Sequence, residues 1–302
     1  MKDSSAEPPL IWQWAFAVGR RIARSSPAAQ HRSAQFVAWM THLAARRRVA
    51  IIRANIDLCF PELDPEARAR LVQANVRSMA LGVIDTLLAW FAPDATIVHR
   101  IDVRGLGPLR AALERGGALC LYAHFHSIEL GGRALSLMLE RPMHQMVRRH
   151  NDARVEQVID AARRSFCGKT IEKHQLADIV RSLREGHPVG YAPDQNFKRH
   201  IAFVPFFGQP AATLTTSARL ARMTGAPVFC IWFIRNGERF ELDIESFTPS
   251  GNDDDDAARW MALLEARIRR TPEQYLWAHR RFKTRPDGSV VYPAALLKPR
   301  DR

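Results

Sequence analysis

A histidine and a carboxylate five positions apart, His124 and Glu129, are the residues of this sequence best suited to proton transfer. They follow an apolar run, Gly117 to Ala123, that has the length of a buried strand. Neutral imidazole takes a proton from a hydroxyl group near pH 7, because its ordinary pKa is about 6.5. A carboxylate on the second ring nitrogen fixes the tautomer and stabilises the imidazolium that forms. The pair therefore predicts a general base, with Glu129 as the partner that orients it.

The elements around this pair must place it at the edge of a sheet. Ser127 is a candidate cap for a helix from about Ile128 to Leu139. Residues five apart on an ideal helix point in different directions, so we expect His124 in the strand-to-helix turn and Glu129 one turn into the helix. Open α/β sheets bind their ligands at such carboxyl ends of strands.

Other interpretations of these residues stay open at this point. His126 forms an i,i+3 pair with Glu129 and competes with His124, which we prefer because it directly follows the strand. Ser127 is an alternative as a nucleophile. A His-x4-Glu spacing also arises often by chance, in which case the histidine bonds to nearby backbone and the glutamate is solvated.

Further polar residues are candidates for substrate binding. Arginines can hold phosphates or a developing oxyanion, and four of them fall in two pairs, Arg148 and Arg149, then Arg163 and Arg164. Asp194 ends an apolar run at 188–192, which predicts that it lies on the same edge of the sheet as His124. Because this segment offers one carboxylate and no histidine partner, we expect no metal site.

The composition supports a sizeable core and an anionic partner. The chain has 302 residues, of which 47% are apolar, enough for one large domain or two small ones. Its formal net charge is +13, which favours membrane surfaces, phosphorylated lipids, acidic carrier proteins or nucleic acid. The four cysteines are far apart in sequence and form no C-x-x-C pair, so neither a zinc site nor a disulfide framework is predicted.

The first apolar segment is too short for a membrane span. Leu10 to Val18 is followed at once by Gly19, Arg20 and Arg21, well before the roughly 20 residues that a transmembrane helix needs. Its tryptophans alternate with arginines further along, a mixture typical of a segment that lies in a membrane interface. An ordinary amphipathic helix packed on the core is the alternative.

The order of the predicted elements favours an α/β fold. Residues 10–56 have a helical pattern broken near 25–27, and Asp64 is a candidate cap for a helix from Pro65 to about Phe91. Beyond residue 100, strands and helices alternate. The predicted strands are 117–123, 143–148, 188–192, 226–234 and 239–245, and the predicted helices are 127–140, 152–166, 175–185, 213–224 and 253–270. Asn236-Gly237 predicts a hairpin between the last two strands.

Several segments together carry a resemblance to a known family. In chain order they are Asn55 to Leu63 (NIDLCFPEL), His124 to Arg133 (HFHSIELGGR), Tyr191 to Gln195 (YAPDQ), Phe203 to Gly208 (FVPFFG) with Ala211 to Thr213, and Pro272 to Pro286. The sequence resembles the bacterial late acyltransferases of lipid A biosynthesis, of the Kdo2-lipid IVA lauroyltransferase type, over most of its length.

The resemblance implies a mixed central β-sheet flanked by helices, as in glycerol-3-phosphate acyltransferases. It implies a helical, membrane-interfacial N-terminal region over residues 1–60 and an acyltransferase domain over 61–302. Such an enzyme works at the cytoplasmic face of the bacterial inner membrane, where this chain would be peripheral or weakly anchored. The family's usual anchoring helix is only poorly matched by residues 10–24.

The implied reaction moves a fatty acyl chain from acyl carrier protein to a hydroxyl of a 3-hydroxyacyl chain on a lipid A precursor, without a cofactor and without nucleic acid. The resemblance makes His124 the base and Glu129 its partner, and carries two more family positions onto Arg163, with Arg164 as its neighbour, and Asp194. Asn196 to Lys198 replace a further acidic residue and glycine of the family, so another glycolipid or an acylated pigment is an alternative product. A hydrolase on the same scaffold is the other alternative.

Overall fold

The computed structural model describes residues 10–147, 149, 152–172 and 175–297 of the chain. Within these ranges the helices are α1 (Leu10–Ala23), α2 (Pro27–Ala44), α3 (Arg46–Cys59), α4 (Pro65–Phe91), α5 (Asp94–Val98), α6 (Leu106–Arg115), α7 (Ile128–Leu139), α8 (Ala153–Arg163), α9 (Leu176–Arg184), α10 (Thr216–Thr224), α11 (Asp253–Arg270) and α12 (Ala294–Leu297), with a 3₁₀ turn at Pro272–Gln274.

The strands form one mixed sheet and a separate hairpin. They are β1 (Ile101–Arg104), β2 (Ala118–Tyr122), β3 (Met143–Val147), β4 (Cys167–Glu172), β5 (Pro188–Tyr191), β6 (Ile201–Phe206), β7 (Gln209–Leu214), β8 (Val228–Asn236) and β9 (Arg239–Phe247). Seven of them follow the order β1-β9-β8-β2-β5-β3-β4, and β6 pairs with β7 alone. Neighbours in the large sheet are parallel except β8 and β9, which form an antiparallel hairpin. The carboxyl ends of β2 and β5 therefore meet at one edge.

Local sequence accounts for several of these boundaries. Asp64 caps α4, since its carboxylate accepts a hydrogen bond of 2.7 Å from the amide of Ala67, and Pro65 occupies the first helical position. Asn252 caps α11 in the same way, and four aspartates fill the first turn of that helix. Gly237 adopts φ +60° in the turn between β8 and β9, as the Asn-Gly pair predicts.

Two apolar cores lie on opposite faces of the large sheet. One packs helices α3, α9, α10 and α11 against it, around side chains such as Ile56 and Trp260. The other packs α5, α6 and α7, around side chains such as Leu109 and Leu130. Helix α4 contributes to both, with Val76 in the first and Leu88 in the second. The sheet is thus flanked by helices on both sides, which confirms the predicted α/β class and its helical N-terminal region.

Several strands escaped the sequence prediction, namely β1, β4, β6 and β7. The predicted helix at 213–224 begins too early, because residues 213 and 214 complete β7 and α10 starts at Thr216. The predicted helix at 152–166 also ends too late, since α8 stops at Arg163 and residues 164–166 form a turn into β4.

Helices α1 and α2 pack against α4 and expose large apolar side chains. Trp14, Phe36 and Trp39 are each more than half exposed. Over the described ranges, no helix is both long enough and apolar enough to cross a membrane. The boundary at residue 60 stays a prediction; Ile52 and Ile56 of α3 lie in the same core as the sheet.

Candidate active site

His124 lies in the turn between β2 and α7, and Asp194 follows β5, the parallel neighbour of β2. The two residues meet at the carboxyl edge of the sheet, as the sequence predicts. One carboxylate oxygen of Asp194 is 2.6 Å from His124 Nδ1, and the other accepts a 2.8 Å hydrogen bond from the backbone amide of His124. The carboxylate therefore fixes both the ring and the main chain of the histidine.

The ring of His124 is positioned to act as a base. Its side chain is 27% exposed, whereas the side chain of Asp194 is fully buried. With a proton on Nδ1 directed at Asp194, the lone pair lies on Nε2, for which no hydrogen-bond partner exists among the described residues. Nε2 is therefore available to a hydroxyl group that enters the site.

Burial and charge act in opposite directions on this pair. Burial lowers the pKa of His124, but the charge of Asp194 and its hydrogen bond outweigh that effect and leave the pKa above its ordinary value. Burial likewise raises the pKa of Asp194, and the charge and hydrogen bonds of His124 bring it below its ordinary value. Asp194 is thus a carboxylate at neutral pH, as a partner of an imidazolium must be.

The prediction that Glu129 orients the imidazole of His124 is wrong, because the Nδ1 atom is bound to Asp194. Glu129 lies in the first turn of α7, as expected, but binds Arg163 at the end of α8. Arg163 donates from Nε to one carboxylate oxygen at 2.7 Å and from Nη2 to the other at 2.9 Å. The indole of Trp90 donates to the first oxygen at 3.0 Å. Whether Glu129 is needed for activity stays a prediction.

This pairing places Arg163 rather than Arg164 in the cluster. The side chains of Arg163 and Glu129 are 14% and 15% exposed, while Arg164 is exposed at the end of α8. The third nitrogen of Arg163, Nη1, is buried and has no hydrogen-bond partner among the described residues. A buried guanidinium donor without an acceptor costs free energy, so this atom is suited to an anionic group of a substrate.

The other predicted arginines are placed less closely. Arg149 is mostly exposed and pairs with Glu172 at 2.7 Å. Arg148 lies outside the described residues. Neither position shows an approach to His124, and their roles in substrate binding stay predictions.

The alternatives near His124 have structural partners. His126 Nδ1 lies 2.9 Å from the hydroxyl of Ser78, and burial lowers the pKa of His126 to about 3. Ser127 precedes α7, but its hydroxyl donates to Asp85 at 2.6 Å and makes no capping bond, contrary to the prediction. Asp85 is in turn paired with Arg235. Ser127 is therefore held by a buried carboxylate, away from the role of a nucleophile.

A segment from the C-terminal part of the chain pairs with the His124 turn. Phe125 and Tyr275 form an antiparallel bridge, the amide of Leu276 donates to the carbonyl of His124 at 2.9 Å, and the amide of His126 donates to the carbonyl of Gln274 at 2.9 Å. The family block at 272–286 thus supports the turn directly, which explains why the two segments occur together.

Two buried asparagines clamp that segment, and sequence reasoning gave neither of them a role. Asn75 of α4 donates to the carbonyls of Glu273 and Tyr275, both at 2.8 Å. Asn55 of α3 donates to the carbonyls of Trp277 and His279, at 2.6 and 2.8 Å. The hydroxyl of Tyr292 donates to the remaining oxygen of Asn55 at 2.6 Å. A polar residue at an otherwise apolar helix position was the only indication of this in the sequence.

Helix α4 also approaches the turn without a side chain. A Cβ atom at Gly82 would lie 2.6 Å from the Cβ and 2.7 Å from the carbonyl oxygen of His126. Only glycine permits this approach, so Gly82 sets how closely α4 supports the turn.

A narrow apolar cleft of about 50 Å³ borders the strand that leads to His124. Its lining residues come from β2, β3, β5, α7 and the residue after β5: Tyr122, Ile128, Gly132, Gln145, Met146, Gly190, Tyr191 and Ala192. A Cβ atom at Gly132 would lie 2.2 Å from the amide nitrogen of Gln145, so the glycine leaves room for that side chain. Among the described residues, no cluster of histidine, cysteine or carboxylate side chains has the arrangement of a metal site.

Comparison with known proteins places these residues in context. Residues 2–284 match the family described as bacterial lipid A biosynthesis acyltransferase. The chain is 37% identical over 253 residues to the lipid A biosynthesis palmitoleoyltransferase of Escherichia coli, a match covering 80% of this chain and 81% of the relative. It is 33% identical over 251 residues to the lipid A biosynthesis lauroyltransferase of the same organism, with the same coverage. A lipid A biosynthesis acyltransferase of Haemophilus influenzae is 30% identical over 288 residues, or 91% of this chain and 92% of the relative.

Proposed function

The chain belongs to the bacterial lipid A biosynthesis acyltransferase family, and we propose that it moves a fatty acyl chain from acyl carrier protein to a hydroxyl of a 3-hydroxyacyl chain on a lipid A precursor. It is a late acyltransferase of lipid A biosynthesis. The observation that carries the proposed chemistry is the His124–Asp194 pair, in which one ring nitrogen is fixed by a buried carboxylate and the other is available to a hydroxyl.

In the proposed reaction, His124 Nε2 takes the proton of the acceptor hydroxyl as the oxygen attacks the thioester carbonyl. Asp194 stabilises the imidazolium that forms and keeps the lone pair on Nε2. The tetrahedral intermediate then expels the carrier thiolate, which receives the proton from His124. The products are an ester and a free carrier thiol. No acyl-enzyme is required, because the thioester is already activated.

Arg163 is proposed to stabilise negative charge at the reacting carbonyl or on a substrate phosphate. Its unpartnered Nη1 atom supports this role, and the bidentate contact with Glu129 holds the guanidinium in one orientation. Glu129 is thus proposed to act through Arg163 rather than through the imidazole.

The enzyme is proposed to work at the cytoplasmic face of the inner membrane as a peripheral protein. The exposed aromatic side chains of α1 and α2, among them Trp14, Phe36 and Trp39, support contact with a lipid surface. The apolar cleft beside β2 is the proposed entry for the acyl chain, and because it now holds little more than one or two waters, side chains such as Met146 must move to admit it.

The test measures transfer of labelled acyl groups from acyl carrier protein to the tetraacylated disaccharide precursor of lipid A. His124→Ala is expected to lower the rate by about 10²–10⁴-fold, the usual contribution of a general base. His99→Ala, at an exposed histidine outside the site, serves as the control and retains full activity. Full transfer by a folded His124→Ala variant would contradict the mechanism, and equal loss of label without acceptor would indicate a hydrolase instead.

A further inference from the structure

A basic groove of about 770 Å³ lies beside the active site, and the proposed reaction as described above does not use it. Its lining contains five lysines and arginines: Arg47, Arg48, Lys198, Arg280 and Lys283. No aspartate or glutamate lines it among the described residues. A concave surface of this volume is typical of a site for a small molecule or a head group.

The groove reaches the catalytic histidine through shared walls. Leu276 lines it and donates its amide to the carbonyl of His124 at 2.9 Å. Asn196, two residues after Asp194, also lines it and receives the amide of Thr284 at 3.0 Å, which ties both sides of the groove together. A group bound in the groove would therefore be held at a fixed position relative to the base.

The start of α3 forms the outer wall and is electrostatically unusual. Three arginines, Arg46 to Arg48, occupy its first turn, where the helix dipole is positive and acidic residues are normally favoured. The residue before the helix, Ala45, has no side chain that could cap the free amides. Such an arrangement is unfavourable without a compensating anion, and an anion in the groove would stabilise it.

Several of the cations are available for that anion. Arg48, Lys198 and Lys283 are exposed, and none of them has an ion-pair partner within the part of the chain that the structure describes. Arg280 is held in place, because its guanidinium donates to the carbonyls of Leu296 and Leu297. The groove thus combines a fixed donor with mobile ones.

We propose that this groove binds a phosphate group of the acceptor lipid and thereby sets which acceptor is acylated. The inference rests on the proposed function and specifies its substrate. A phosphorylated sugar head group matches the size and charge of the groove, whereas docking of a carrier protein needs a surface of about 800 Å² per partner. The absence of lining carboxylates among the described residues favours a phosphate over a zwitterionic group.

The experiment compares Arg48→Gln/Lys283→Gln with the wild type on the bisphosphorylated disaccharide acceptor and on the same acceptor after phosphatase treatment. The KM for the phosphorylated acceptor is expected to rise about tenfold with kcat unchanged, and the two enzymes should treat the dephosphorylated acceptor alike. Arg48→Lys/Lys283→Arg should restore the wild-type KM. The matched control Arg184→Gln/Arg219→Gln removes the same charge from exposed positions outside the groove and should have no effect.

An equal effect on both acceptors, or none on either, would overturn the proposal. A raised KM for acyl carrier protein with an unchanged KM for the acceptor would also overturn it and assign the groove to the carrier. Calorimetric titration with each acceptor in the absence of donor measures the same contrast in Kd. The groove is therefore tested even if the wild type transfers no acyl group, a result that would instead reject the proposed function.

Discussion

The carboxylate of Asp194 binds His124 at two atoms, the backbone amide at 2.8 Å and Nδ1 at 2.6 Å. A ring attached to a mobile turn would sample several orientations, but here the same group anchors the turn and the ring. Since Asp194 itself follows a strand paired with β2, the geometry of the sheet is transmitted directly to the base.

Replacing Asp194 with asparagine should lower kcat by about 10²–10⁴-fold while the fold is kept. The amide group can still accept from the backbone of His124, but its NH₂ group would face Nδ1 and favour the tautomer with the proton on Nε2. That tautomer cannot accept a proton from the acceptor. Steady-state transfer rates check the loss, and a kcat within a factor of two of the wild type would contradict the assignment of Asp194 as the orienting residue.

The pH dependence of kcat/KM should reveal the raised pKa of His124. Only the neutral imidazole can act as a base, so activity is low below that pKa and rises as the pH increases through it, above the ordinary 6.5. In Asp194→Asn the raising contributions are lost and burial remains, so the acidic limb of the profile should move to lower pH. A limb that stays in place would show that Asp194 does not set the protonation of His124.

Glu129→Gln should reduce activity by about 10²-fold, because Arg163 loses a bidentate carboxylate and its guanidinium is no longer fixed. The acidic limb of the pH profile should stay where it is in the wild type, since Glu129 does not contact the imidazole. The double variant Glu129→Gln/Arg163→Gln should be no worse than the poorer single variant. Additive losses, or a shifted limb, would indicate that Glu129 acts on His124 after all.

Asn75→Ala should destabilise the protein by about 1–3 kcal/mol for each of the two buried carbonyls that it leaves unpaired. The segment that pairs with the His124 turn would also lose a support, so activity should fall with stability. Urea unfolding monitored by circular dichroism measures the difference. Gln73→Ala, at an exposed position of the same helix, is the control and should change the free energy of unfolding by less than about 0.5 kcal/mol.

Gly82→Ala should destabilise the protein although alanine is the better helix former. The new Cβ atom would come within 2.7 Å of the backbone of His126, which has no flexible end that could move aside. Gly107→Ala adds the same atom to α6, where nothing lies within 4 Å, and should stabilise by about 0.5–1 kcal/mol. A comparison of thermal unfolding for the two variants tests this, and equal shifts in Tm would contradict the proposed close approach.

The elements that sequence reasoning predicted well have strong local determinants. Asp64 and Pro65 define the start of α4, and Asn236-Gly237 defines the hairpin, because capping and turn chemistry depend on adjacent residues. The missed strands lack such determinants. Strand β1 has four residues that alternate with charges, and the β6–β7 hairpin places Pro205 opposite Pro210, although proline normally argues against a strand.

The partner of His124 could not be predicted from spacing alone. Glu129 is close in sequence, and the resemblance to the family supported the pair, but which carboxylate reaches Nδ1 depends on the pairing of β2 with β5. Asp194 lies 70 positions away from His124, and only the parallel register brings them together. Local patterns identified the chemistry of the site, whereas the assignment of its hydrogen bonds required tertiary structure.

The hydrogen bond from Tyr292 to Asn55 joins residues 237 positions apart. During synthesis the ribosome releases the N-terminal helices first, and contacts over such separations form late. The loop carrying the histidine lacks its pairing segment until Gln274 to Leu276 have emerged, and the clamp is incomplete until Tyr292 follows. A nascent chain is therefore unable to activate an alcohol for nearly all of its translation, so acylation begins only when the polypeptide is almost finished.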